Sequence, residues 1–216
     1  MWPSSLARLG GLAAAAGGSL LVIWALLLIP IFSPAGVPGS LYRLYIALWS
    51  LSWLLLVGGL VGLHTRQVNY SGRLGAAGFA IASLGGLVVA ALSFVYAEWP
   101  MLGPYSWGDG SGFGIAVLVW EVGLLLLGIA TLRARALPLP WRTLPLAIFS
   151  VFPLSIILTP LMLGAGLESE FLYSGVPRAL TGIGWVLLGY ALWSGIGEDI
   201  RRSVPARYLL DSPARV

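Results

Sequence analysis

Few side chains in this sequence could do chemistry, and Glu121 stands apart from the rest. It sits in an apolar run, Gly114-Ile-Ala-Val-Leu-Val-Trp-Glu-Val-Gly-Leu-Leu-Leu-Leu-Gly128. In a helix over 113–132 it lies near the middle, about 12 Å from one end and about 16 Å from the other, at 1.5 Å rise per residue. A charged side chain at the centre of a bilayer costs roughly 2.5–3.5 kcal/mol on insertion scales, so an ionisable residue there needs a use. Two uses are open. Glu121 is a protonatable group on a proton or solute path, or it is a hydrogen-bonded acid that fixes helix packing. Gly114 and Gly128 stand one heptad to either side, which predicts a closely packed, inward-facing seam around it. Arg43 and Arg178, near the outer starts of neighbouring runs, are candidate ionic partners. Their long stems equally let them snorkel to the interface.

The other candidates are weaker. His64, followed by Thr65 and Arg66, closes an apolar run and reads as a proton acceptor, a single haem ligand or a polar cap. The stretch 98–112 carries Trp99, Tyr105 and Trp107 among prolines and glycines, and reads as a ligand-binding loop or an interfacial aromatic belt. Glu98, Asp109, Glu168 and Glu170 lack the spacing of a calcium loop. The absence of cysteine excludes disulfides, thiolate metal sites and thiol catalysis. All 12 basic residues are arginine, so lysine Schiff-base chemistry is excluded too. One histidine cannot build a multi-histidine metal site. No nucleophile elbow, zinc His-Glu-x-x-His pair, Walker loop or dinucleotide fingerprint occurs. The expectation is a non-enzyme with no cofactor and no metal.

The elements that must position these residues follow from composition. The chain has 216 residues, 58% hydrophobic and 9% charged, with mean hydropathy +0.92. Soluble domains carry about 25% charged residues, so a soluble domain, a disordered chain and a nucleic-acid module are excluded. What remains is an all-α, polytopic transmembrane bundle. Six apolar runs, 9–32, 41–63, 74–97, 113–132, 143–166 and 176–197, each reach the roughly 20 residues a spanning helix needs. They do not alternate polar and apolar residues, as barrel strands would. The first run exceeds the 7–15 apolar residues of a signal peptide and reads as a retained helix. Ten of the 12 arginines fall on one side: Arg8, Arg66, Arg73, Arg133, Arg135, Arg142, Arg201, Arg202, Arg207 and Arg215. The positive-inside rule then places both termini in the cytoplasm of an inner-membrane protein, and explains the net charge of +4 without nucleic acid. Residues 198–216 form a basic tail whose Arg201, Arg202 and Arg207 suit anionic lipid headgroups.

Small residues predict how the helices meet, because close backbone contact drives association in lipid. Gly10, Ala14 and Gly18 share a face of the first helix, and Gly78, Ala82, Gly86 and Ala90 a face of the third. Gly175, Gly182 and Gly189 share a face of the sixth. These faces pack within one bundle or form a homo-oligomer interface. Pro30, Pro153 and Pro160 predict kinks in helices 1 and 5. Arg8-Leu-Gly recurs as Arg73-Leu-Gly, and Gly123-Leu-Leu-Leu-Leu-Gly-Ile-Ala resembles Gly184-Trp-Val-Leu-Leu-Gly-Tyr-Ala, which suggests three repeated hairpins in a single domain, 1–216.

Three stretches, Gly62-Leu-His-Thr-Arg-Gln with Gly72-Arg-Leu-Gly, Gly128-Ile-Ala-Thr-Leu-Arg-Ala, and Gly184-Trp-Val-Leu-Leu-Gly-Tyr-Ala-Leu-Trp193, together resemble small six-helix bacterial integral membrane proteins of uncharacterised function. The resemblance implies a compact helical bundle and supplies no catalytic residue. The expected role is a non-enzymatic accessory or interaction subunit with a protein partner or a second copy. The alternative is a small-solute or proton-linked transporter or channel that uses Glu121.

Overall fold

The computed structural model describes residues 3–28, 39–98, 112–134, 137–139, 141–164 and 175–195, and every regular element among them is helical. Helix α1 is Pro3–Ile23 and runs into a π turn, Trp24–Leu28. A single helical stretch, Gly39–Glu98, follows and is broken only at Gly72. We label its parts α2 (39–71) and α3 (73–98). Then come α4 (Gly112–Ala134), a 3-10 turn (Trp141–Thr143), α5 (Leu144–Gly164) and α6 (Val176–Trp193). Among the described residues four stretches are long and apolar enough to cross a membrane: Ser5–Leu26, Arg43–Val95, Gly112–Ala134 and Trp141–Leu158.

The 53-residue stretch would be about 80 Å long if straight, well over twice a 30 Å hydrocarbon core. It is not straight. Gly72 has φ 56° and ψ −157°, a region essentially reserved for glycine, and the chain turns back there. Across the turn Ser71 meets Gly75, the His64 ring stacks on Phe79, and Val57 reaches Gly86. Residue numbers fall on one helix as they rise on the other, so α2 and α3 are antiparallel. The expected polar connection after residue 63 is instead two further helical turns. The reason is burial: Gln67 is fully buried and Ser71 nearly so, and a helix is the cheapest way to satisfy a buried backbone.

Glycine seams then set the neighbours. α1 lies antiparallel between α2 and α6. Gly10 meets Gly62, and Ala14 meets Gly59. On the other flank a side chain at Gly11 would collide with Gly189 and Trp193, and one at Gly18 with Gly182 and Trp185. α3 packs on α4 just as tightly, with Gly78 against Leu127, Ala82 against Gly123 and Gly85 against Trp120. The small-residue faces of helices 1, 3 and 6 therefore serve contacts inside the chain. α5 joins later and more loosely, through Leu146 on Gly128 of α4 and Ile148 on Gly184 of α6. It contains Pro153 and Pro160, each of which removes one backbone hydrogen bond. Only 11% of its apolar window is buried, against 39–50% for the other three stretches. Pro30 lies outside the described residues.

Inside, large apolar side chains fill the space between the even helices. Trp53 of α2, Trp120 of α4 and Trp185 of α6 meet there, with centroids 5.0 Å and 5.9 Å apart. Leu56, Leu60, Leu124, Leu127 and Leu188 surround them, each almost fully buried. Hydroxyls within the apolar helices bond back to their own backbone, as Ser93 does to the Val89 carbonyl at 2.7 Å and Ser52 to that of Trp49 at 2.7 Å. In a medium without water that is how a hydroxyl avoids the cost of an unmade bond.

Candidate functional site

Glu121 sits at mid-length of α4, beside Trp120, which points into the core. Its own side chain lies on the flank that faces α5. The geometry follows from Gly128, one heptad on and so on nearly the same face, which packs on Leu146. Seven residues back along α4 and seven forward along antiparallel α5 bring Glu121 level with Pro153. The seam does not stay closed over its whole length. At Gly128 a methyl group would press into Leu146, whereas at Gly114 nothing among the described residues stands within 4 Å. The tight seam expected on both sides of Glu121 is thus seen among the described residues at Gly128 only. One carboxyl oxygen, Oε2, is buried with no hydrogen-bond partner among the described residues.

Neither candidate arginine is brought to this carboxyl. The guanidinium of Arg178 lies over the rings of Trp24 and Trp49, 5.2 Å and 5.8 Å from their centroids. It neither snorkels freely nor bonds to Glu121 Oε2. Arg43 is exposed on the first turns of α2. Around Arg178 the aromatic rings run on without a gap. Tyr45 stacks on Trp24 at 5.0 Å, Trp24 contacts Trp49 at 4.3 Å, and Trp49 meets Trp53 edge-on at 5.8 Å. From there the column continues through Trp120 to Trp185. Trp24, Trp49, Trp53, Trp120 and Trp185 thus form a continuous internal column. The signal was their placement on the inner faces of α1, α2, α4 and α6, visible only once the helices are paired.

A second polar cluster escaped sequence reasoning. His64, Gln67 and Ser71 share one face of α2 at helical spacing, turned toward α3 and α4. Thr131 Oγ1 of α4 lies 2.8 Å from the Gln67 amide oxygen and 2.8 Å from the Leu127 carbonyl. One hydroxyl proton cannot serve two acceptors. Turning the amide lets its NH2 donate to Thr131, whose hydroxyl then donates to Leu127. One amide group of Gln67, Ser71 Oγ and His64 Nδ1 still lack partners among the described residues. The next residue outward on α2, Arg66, donates from Nη1 to the carbonyls of Ala191 and Leu192 at 2.8 Å and 3.4 Å. It caps the C-terminus of α6, where a cation meets the negative end of the helix dipole. His64 itself is half-buried, and its described contact is the ring stack on Phe79 of α3.

Among the described residues no group of three or more His, Cys, Asp or Glu is placed to hold a metal ion. The loop residues Trp99, Tyr105 and Trp107, the carboxylates Asp109, Glu168 and Glu170, and the tail arginines Arg201, Arg202 and Arg207 lie outside the described residues. No protein-family model matches the chain, and neither does any curated protein or solved structure.

Proposed function

We propose that the chain crosses a bacterial inner membrane six times, with both termini cytoplasmic, and serves as a non-enzymatic interaction subunit. The reversal at Gly72 supports counting Arg43–Val95 as two crossings. The eighteen residues of α6 add a sixth, about 27 Å long. In support of three repeated hairpins, every even helix sends a tryptophan to the central contact, Trp53, Trp120 and Trp185. The tail arginines would rest on anionic headgroups.

The observation that carries the interaction reading is the unequal packing of α5. Five helical segments close on one another through glycine seams, while α5 keeps Leu154, Ile156 and Ile157 more than half exposed. A loosely seated helix on a rigid core is a natural place for a partner helix to complete the packing. A photo-crosslinking residue at Ile157, in native membranes, should yield one discrete protein adduct. The same probe at Leu84, equally exposed on α3, should yield none. Equal lipid adducts at both positions would sink the reading.

A second reading, a proton-linked transporter or channel, is favoured by one specific observation: a mid-helix carboxyl with a buried, unpartnered oxygen beside a seam that opens at Gly114. Glu121→Gln in proteoliposomes should then abolish flux and leave the fold intact. Unchanged flux would remove Glu121 from any path.

A further inference from the structure

We propose that the partner is a different membrane protein, whose docking helix carries an arginine or lysine at mid-depth and lies between α4 and α5 with that cation on Glu121. The inference rests on the interaction reading above and names the chemistry of its partner. It starts from a carboxyl that the chain leaves unanswered. Glu121 stands at mid-length of α4, and its buried Oε2 has no hydrogen-bond partner among the described residues. Ionisable groups at membrane depth pair with one another or with other polar groups. The chain has no cation to offer there. Its 12 arginines fall near helix ends or between helices. Arg133, on the same helix, is twelve residues on, about 18 Å along the axis. Arg178 is held over Trp24 and Trp49 near the start of α6, and Arg43 is exposed at the start of α2. A second copy in the same orientation repeats those depths. It brings another carboxyl to the level of Glu121 and no cation, so the complement must come from a different chain.

The carboxyl stands where such a chain can reach it. Glu121 is half-buried, at the border between the α5-facing flank of α4 and its outer surface, where Leu118 and Val122 are 55% and 50% exposed. Pro153 of α5 is level with Glu121, and Ile157, one turn further on, is 64% exposed. Gly114 lies on nearly the same face as Glu121, and no described atom comes within 4 Å of a methyl placed there, so a neighbouring backbone can approach closely. The walls are thus aliphatic, with one acid at their middle. Apolar packing alone gives a helix little advantage over lipid. A desolvated pair of opposite charges adds a strong term, and it fixes both the partner and its depth.

The test uses the full chain with a photo-crosslinking residue at Ile157, reconstituted in phosphatidylcholine vesicles. The probes are synthetic peptides of about 23 leucines and alanines, long enough to span. They differ only in the central residue, which is arginine, leucine or glutamate. The arginine peptide should be crosslinked about tenfold more than the leucine peptide, the affinity equivalent of one charge-assisted hydrogen bond. E121Q should erase that advantage, and E121D, which keeps the charge, should retain part of it. Moving the arginine two turns from the centre of the peptide should also erase it in the wild type, so the test stands even if E121Q does not fold. Equal crosslinking of the arginine and leucine peptides, or an arginine advantage that a folded E121Q leaves intact, would overturn the pairing. A glutamate peptide crosslinked more than the arginine peptide would overturn the basic partner. These failures are distinguishable from failure of the interaction reading, which is decided by the adduct at Ile157 in native membranes.

Discussion

Replacing Gly72 with alanine separates backbone strain from packing, because the structure isolates the two. Nothing among the described residues stands within 4 Å of where the new methyl would lie, so steric overlap with neighbours adds no cost. The cost comes from φ 56° with ψ −157°, where a Cβ clashes with its own backbone. Residues held in such regions cost about 1–3 kcal/mol each. For a chain of this length each kcal/mol is worth roughly 2–4 °C, so the loss should be about 2–12 °C. Gly114→Ala is the matched control. It also meets open space, yet it lies within α4 at helical backbone angles, where alanine gains about 0.5–1 kcal/mol over glycine. Unfolding of the two variants in the same detergent, followed by circular dichroism at 222 nm, should move in opposite directions. A Gly72→Ala protein as stable as wild type would mean the chain does not reverse through that conformation, and the antiparallel pairing of α2 with α3 would fall with it.

Three other outcomes follow from the packing and the polar contacts. Gly10→Val should drive α1 off α2, since even a methyl at Gly10 would overlap the Gly62 backbone; loss of the monodisperse peak in size-exclusion chromatography would register it, and a normal profile would refute the seam. Thr131→Val should cost about 1–3 kcal/mol by stranding Gln67, whereas adding Gln67→Leu should recover most of it; additive losses in the double-mutant cycle would refute the bond. Arg66→Gln should cost about 1 kcal/mol and speed hydrogen exchange at the end of α6, near residues 189–193; unchanged exchange there would remove the cap.

The sequence by itself determined what depends on local sums. A helix in lipid needs a run of apolar residues of fixed length, and such runs are present, so the all-helical character was legible before any coordinates. Small residues at helical spacing announced the faces of α1, α3 and α6, because only glycine and alanine allow backbones to touch. The isolated carboxyl at Glu121 was visible for the same reason: its rarity is a local property. What only the tertiary structure decided is whatever depends on a partner far away in the chain. Gln67 lies between two apolar runs in the sequence, yet it is fully buried and meets Thr131, 64 residues on. Arg178 read as a candidate for Glu121 or for the interface, and ring faces from α1 and α2 hold it instead. Gly114 and Gly128 looked alike in sequence, yet among the described residues only Gly128 meets a close neighbour, Leu146 of α5. Hydropathy states that a residue can be buried; which groups meet it there is set by how the helices pair.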